Sequence, residues 1–252
     1  MGTSTFIMVN CKRKEHGMRS ALFLTGLMFA GLIFIVVGES MKKNALETYR
    51  KRRNLKESPE PVGTIKKGRS KKLIFVIQKH AARALHYDVR LEIDGVLVSW
   101  AVPKGPSLNP TIKRLAVRTD DHPMEYAKFE GTIPEGSYGA GTVMVWDIGT
   151  YKNIKTDDDG KLVPLIECLK QGHIEVFLQG KKLEGGYAFV HTNFGNGEQW
   201  LMIKMRDEYA DARRNPVNTE KNSALTGRTM NEISKDETPP KRKKREVYSC
   251  KH

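Results

Sequence analysis

Between residues 72 and 206 the chain is cut into short apolar runs rich in Val, Ile, aromatic residues or Thr, and clusters of Gly, Pro, Asn and Asp separate many of them. The runs at 73–77, 96–102, 115–117, 142–146, 174–178, 187–191 and 200–204 have strand length and composition. Only 162–171, stopped by Gly172, reads as a clear short helix. Many short strands with turn signals between them predict a mainly β fold, an antiparallel β-barrel with short flanking helices. No repeat period is visible. After Asp211 the chain turns polar and ends in a Pro-Pro-Lys-Arg-Lys-Lys-Arg string at 239–245, so 212–252 is expected to be a flexible basic tail.

The first forty residues differ in kind. Residues 21–38 form an uncharged apolar run behind Lys12, Arg13, Lys14 and Arg19, and about 18 residues just suffice to span a bilayer as a helix. A transmembrane anchor, a signal-peptide core and an over-extended reading frame starting before Met41 all fit it. As an anchor, the denser basic residues after it (Lys42, Lys43 and 50–53) would keep the main domain cytoplasmic. The net charge of +14 is uneven: residues 1–72 carry +11, 241–252 carry +5, and the middle is near neutral at −2. The basic character therefore lies in two arms around a neutral folded region. Arms like these supply salt-sensitive attraction to phosphate backbones, or act simply as solvated tails. The cysteines (Cys11, Cys168, Cys250) are odd in number and lie far apart, which argues against a disulfide framework or zinc ribbon and for a reducing compartment.

The segment 78–92, QKHAARALHYDVRLE, carries the most chemistry. His86, Asp88 and Arg90 alternate with Tyr87, Val89 and Leu91, so on a strand the polar three share one face. His80 has the same parity, yet along one extended strand it would stand about 20 Å from His86. Ligands of one ion must each approach it to about 2.0–2.2 Å. For His80 to join them, 81–85 cannot be extended, and Ala-Ala-Arg-Ala-Leu suits a single helical turn that folds His80 back. Two imidazoles and a carboxylate suit Mn, Fe, Co or Zn, with positions left open for water and a phosphate oxygen. Arg90 is then placed to fork onto that phosphate. Two ordinary surface histidines would produce the same string.

Two further clusters stand out. In 120–126, DDHPMEY, His122 could bind phosphate when protonated or serve as a general acid, and Tyr126 offers a hydroxyl; a Pro-containing turn with exposed acids is the plainer alternative. In 131–141, GTIPEGSYGAG, the glycines permit close backbone approach. The lysine and spacing of a P-loop are missing, so a structural turn is expected.

Together these strings resemble the 3′-phosphoesterase domain of bacterial DNA ligase D and its stand-alone bacterial and archaeal relatives. The resemblance runs from about 52 to 210 through QKHAARALHYDVRLEIDG, SWAVPKGPS, DDHPMEYAKFEG, IPEGSYGAGTV, WDIGTY and QWLMIKMRDEYA. It implies an end-healing enzyme of double-strand break repair by end joining, built on a β-barrel. The implied activity is manganese-dependent and stepwise: a 3′-terminal ribonucleoside is removed, then the 3′-phosphate left behind is hydrolysed to a ligatable 3′-hydroxyl. The family's metal ligands fall on His80, His86 and Asp88, its phosphate-binding arginine on Arg90, and its catalytic His and Tyr on His122 and Tyr126. An upstream element of the form Arg-Asp-Phe-x-x-Thr-x-Glu-Pro aligns with 53–61. Arg53 and Glu60 match, whereas the aspartate is Asn54, the phenylalanine Leu55 and the threonine Ser58. Asn keeps a hydrogen-bonding oxygen and loses the charge. In the family this element serves the phosphomonoesterase step in particular, so the departure bears on that step.

The expected organisation is an apolar segment at 1–40, a basic arm at 41–71 reaching the active site, a barrel at 72–211 and a basic tail. Expected partners are nucleic-acid 3′ ends, a separate polymerase, ligase and end-binding protein, and a membrane if 21–38 inserts. The expected location is the cytoplasm or nucleoid, with a membrane-anchored cytoplasmic domain as the other case. The rival reading is a non-catalytic nucleic-acid-binding β-barrel whose basic arms do the binding.

Overall fold

The computed structural model describes residues 46–55, 57–63, 72–193 and 199–236. The expectations for the apolar run at 21–38 and the basic string at 239–245 lie outside them. No helix among the described residues is long and apolar enough to cross a membrane.

After a five-residue helix α1 (Glu47–Lys51) come strands β1 (Leu73–Ala81), β2 (Leu85–Ile93), β3 (Val96–Val102) and β4 (Lys113–His122). A 3-10 turn (Met124–Lys128) leads to β5 (Gly131–Ile133) and β6 (Gly141–Asn153); helix α2 (Leu165–Gln171), strands β7 (His173–Gly180), β8 (Glu184–His191) and β9 (Gln199–Lys204), and helices α3 (Pro216–Thr219) and α4 (Met230–Lys235) follow. Strands β1-β2-β3-β4-β9-β8-β7-β6 pair in that order, and β6 returns to β1, closing an antiparallel barrel. Strand β6 is long enough to pair with β1 along one side and with β5 and then β7 along the other. Closure leaves the ring itself without an edge.

Period-2 alternation sorts the side chains. In β2, Tyr87, Val89, Leu91 and Ile93 join Phe75, Ile77, Trp100, Trp146 and Phe189 in the main core, while His86, Asp88 and Arg90 point the other way. Trp100 is fully buried against Phe189 and Trp200, with ring centroids 5.0 and 5.6 Å away. Truncating such a residue to Ala costs about 3–5 kcal/mol. Strands β2 and β3 are joined by Asp94-Gly95 with φ of 54° and 84°, a pair of left-handed residues suited to a two-residue hairpin. Outside the barrel a smaller cluster of Tyr49, Val76, Leu97, Tyr126, Ala127 and Val145 fastens α1 and the 3-10 turn to the wall formed by β1, β3 and β6.

Four expectations need correction. The helix begins at Leu165 rather than 162, because Pro164 disfavours helical geometry in Val163 and itself takes the first cap position; its end at Gly172, φ 74°, is as expected. Strand β4 continues from 117 to His122, its end kept in the sheet by pairing with β3. Residues 81–85 form no helical turn: Ala81 and Leu85 close a β-hairpin across three residues. Residues 216–236, expected to be flexible, carry α3 and α4 and pack on the barrel. Ile233 is buried, Ala224 donates its N–H to the Val145 carbonyl at 2.8 Å, and Thr226 donates to Glu130. Thr229 and Glu232 form a reciprocal capping box that starts α4.

Candidate metal and phosphate site

The β1–β2 hairpin sets His80 directly opposite His86, with ring centroids 4.8 Å apart. Asp88 follows two residues on, on the same face. Gly141 makes the tight end of β1 possible: a Cβ there, at φ +133°, would stand 2.3 Å from the Ala81 carbonyl oxygen. One donor atom from each of His80, His86 and Asp88 lies within 4.8 Å of the others, the one such cluster found among the described residues. His80 and Asp88 are buried and His86 half-buried, so surface histidines are the wrong description.

The second nitrogen of each ring is tied to the backbone. His80 Nε2 lies 3.0 Å from the Gly139 carbonyl and His86 Nδ1 2.9 Å from the Ala84 carbonyl. A carbonyl accepts only, so those nitrogens carry protons, which leaves His80 Nδ1 and His86 Nε2 as the lone-pair donors of the neutral rings. Both lone pairs face Asp88, at 3.6 Å from Oδ2 and Oδ1 respectively. That is long for a hydrogen bond. Two atoms each about 2.1 Å from one ion would be about 3.0 Å apart at a right angle and about 3.4 Å at the tetrahedral angle. The 3.6 Å spacings are wider than these values, so the donor set suits a divalent cation once the side chains draw in around it, with outer partners of the kind that orient metal-bound histidines.

Arg90, 2% exposed, lies beside this trio. Its Nη2 donates to Asp88 Oδ2 at 3.0 Å, its Nε to Gln78 Oε1 at 2.7 Å and its Nη1 to Ser99 Oγ at 2.8 Å. Every guanidinium nitrogen is thus engaged, and these three bonds leave one N–H on each of Nη1 and Nη2. Burial alone would raise the Asp88 carboxyl, but the Arg90 charge, with His80 and His86 adding to it when protonated, outweighs it and holds the group well below the usual carboxylate range.

His122, at the end of β4, sits between two guanidiniums: Arg90 Nη1 is 2.8 Å from its Nδ1 and Arg53 Nη2 3.1 Å from its Nε2. A neutral imidazole accepts at only one nitrogen. The Asp120 carbonyl is also 2.8 Å from Nδ1, so Nδ1–H donating to Asp120 with Nε2 accepting from Arg53 satisfies two of the three contacts and leaves Arg90 Nη1 without an acceptor in His122. Burial, then the charges of Arg90 and Arg53, push His122 well below its ordinary pKa. In the substrate-free site, burial and the two guanidiniums therefore disfavour the protonated ring.

Arg53 arrives from the arm. Its Nε donates to Glu60 Oε1 at 3.0 Å, and its guanidinium stacks over Tyr49 at 4.1 Å. Glu60, 4% exposed, also accepts from the Tyr126 hydroxyl at 3.1 Å and from Ser58 Oγ at 2.8 Å. Tyr126 is buried and its pKa is pushed well up, first by desolvation and then by Glu60, so its hydroxyl acts as a donor. The structure thus brings together every candidate except Asn54. That side chain is exposed and donates to Glu57 Oε2 at 2.8 Å. Three contributors escaped the sequence reading. Gln78 and Ser99 share the outward parity of Asp88 and Arg90 and could have been found by it. The Gly139 carbonyl leaves no side-chain signal.

A closed β-barrel thus carries on its outer wall a His/His/Asp trio beside Arg90, with Arg53 brought up to it by the arm. Residues 78–191 match the family described as the DNA Ligase D 3′-phosphoesterase domain. It is 43% identical over 189 residues to the multifunctional non-homologous end joining protein LigD of Pseudomonas aeruginosa, covering 73% of this chain and 22% of that protein. It is 45% identical over 163 residues to the multifunctional non-homologous end joining DNA repair protein LigD of Mycobacterium tuberculosis, covering 65% of this chain and 20% of the relative. The LigD of Mycolicibacterium smegmatis is 46% identical over 165 residues, covering 65% and 21%. The chain thus spans about a fifth of the length of the curated relatives it matches.

Proposed function

We propose that this domain processes nucleic-acid ends in DNA repair as a divalent-metal-dependent 3′-phosphoesterase, removing 3′-terminal ribonucleosides and 3′-phosphates to leave a 3′-hydroxyl. The observation that carries the reading is the convergence of His80 Nδ1, His86 Nε2 and an Asp88 carboxylate oxygen beside the Arg90 guanidinium. These three residues would hold the ion, with manganese as the proposed metal. When bound, it neutralises phosphate charge and lowers the pKa of a water.

The other residues position and charge the site. Arg90 offers its remaining Nη2 proton to a phosphate oxygen next to Asp88. Gln78 and Ser99 hold that guanidinium in place before substrate arrives, so little reorganisation is needed as charge develops. Arg53, fixed by Glu60 and by stacking on Tyr49, supplies a second positive charge on the far side of His122. A phosphate entering between the two arginines adds negative charge beside His122 and raises its proton affinity, which suits it to protonate a departing oxygen. Tyr126 braces Glu60. A separate polymerase, ligase and end-binding protein would act on the same ends.

The test is manganese-dependent turnover of two primer ends, one with a 3′-ribonucleotide and one with a 3′-phosphate, by the intact chain and by His80→Ala. The reading expects conversion of both ends by the intact chain. It expects a loss of at least about 10³-fold in the variant, beyond the 10–100-fold that outer partners of a metal ligand typically carry. Binding of DNA without turnover would favour the non-catalytic barrel.

A further inference from the structure

The glycine-rich loop between β5 and β6 does more than reverse the chain. Gly139 holds His80 through its carbonyl, and the residue before it, Tyr138, is 47% exposed. Among the described residues it is the one aromatic side chain in the set of exposed large apolar groups. Its hydroxyl accepts from Arg52 Nη1 at 3.2 Å, and Arg52 in turn reaches Asp120 at 3.1 Å. The ring lies 5.4 Å from the Arg52 guanidinium and 5.1 Å from that of Arg53, which touches His122. A large planar ring is therefore held in solvent at the mouth of the phosphate site. It is one residue from the carbonyl that orients His80 and within cation–π reach of both arginines.

Apart from these arginine contacts, the ring keeps nearly half of its surface in water. Beside a phosphate-binding group it gains a partner when a nucleotide arrives, because every base has a π-face and stacking tolerates any sequence. We infer that Tyr138 is a binding residue that stacks on the base of the 3′-terminal nucleotide and so seats the terminal phosphate against the buried site. The inference rests on the proposed end-processing function for its substrate, a nucleic-acid 3′ end. The contact is to the planar base and not to the phosphate. Specificity follows: ends carrying a base are held better than ends whose terminal sugar has lost it.

The experiment compares the intact chain with Tyr138→Ala, Tyr138→Phe and Tyr138→Trp on 3′-phosphate ends whose last residue is a normal nucleotide or an abasic sugar. Tyr138→Ala is expected to raise KM for the base-bearing end about tenfold, from the loss of one base–aromatic stack. Its kcat stays within about twofold, and KM for the abasic end changes little. Phe and Trp, which keep a ring and lose the Arg52 hydrogen bond, are expected to retain the intact KM. An equal KM increase on both ends, or the same loss in Tyr138→Phe, would overturn the assignment and mark Tyr138 as a brace for Arg52. A second readout needs no turnover: 2-aminopurine at the 3′ terminus should be quenched on binding the intact chain and not on binding Tyr138→Ala. If the intact chain turns over neither end, the proposed function fails, and the fluorescence still decides the stacking contact. Quenching that persists in the Ala variant rejects it.

Discussion

The hairpin and the arm reach the same pocket by opposite routes. His80, His86 and Asp88 lie within nine residues and are positioned by strand pairing, with the barrel core on one side of β2 and the site on the other. Arg53 and Glu60 come from a segment outside the barrel and meet His122 and Tyr126 through buried polar contacts and the packing of Tyr49. Strand geometry costs little extra to hold three ligands in place. A desolvated arginine–glutamate pair tolerates no missing partner: removing one side of a buried pair costs about 3–5 kcal/mol. The metal-binding half should therefore be robust and separable, and the phosphate-binding half more fragile.

The comparison would break if the halves failed together. Arg53→Ala is expected to lower turnover of 3′-phosphate ends about a hundredfold, the scale of losing one charge-stabilising donor. Its manganese affinity, followed by titration, should stay within about threefold of the intact chain. Loss of metal binding in that variant would make hairpin and arm one unit. Gln78 lies between the two, since it accepts from Arg90 and donates to the carbonyls of Tyr126 and Phe129 at 3.0 Å. Gln78→Ala should lower stability to urea by about 1–3 kcal/mol, because a buried guanidinium N–H and two carbonyls lose their partner. An unchanged urea midpoint would show that the bridge carries no weight. The smallest effect is expected at Asn54, which faces Glu57 rather than the pocket. Asn54→Ala should change turnover of either end by less than about twofold and stability by less than about 0.5 kcal/mol, as surface substitutions do. A tenfold fall in either turnover would return Asn54 to the site.

The barrel was legible because its strands bury one face, and burial writes a period of two into the sequence. Strand β5 was not, since three residues beginning with Gly131 carry no period. The end of β4 hid behind Asp120, Asp121 and His122, polar residues of which Asp120 and His122 meet the arginines of the site and Asp121 pairs with Arg118. Parity placed His86, Asp88 and Arg90 together correctly. It could not choose between a hairpin and a helical turn for His80, because Ala-Ala-Arg-Ala-Leu favours a helix locally and the pairing of β1 with β2 and β6 decides otherwise. Counting donors also lay beyond the sequence: only the folded structure shows Arg90 already committed to Gln78, Ser99 and Asp88, or His122 set between two guanidiniums. Residues 216–236 looked like a tail because they are polar overall, and their anchoring rests on a few positions such as Ile233 and on backbone contacts with β6.

The most direct test is equilibrium binding of manganese to the intact chain and to His80→Ala, His86→Ala and Asp88→Ala, read by the loss of the free-ion electron paramagnetic resonance signal. The account predicts one tightly held ion per chain, with affinity falling at least about tenfold in each variant while circular dichroism stays that of the folded barrel. Absence of saturable binding, or affinity unchanged in all three variants, would contradict it.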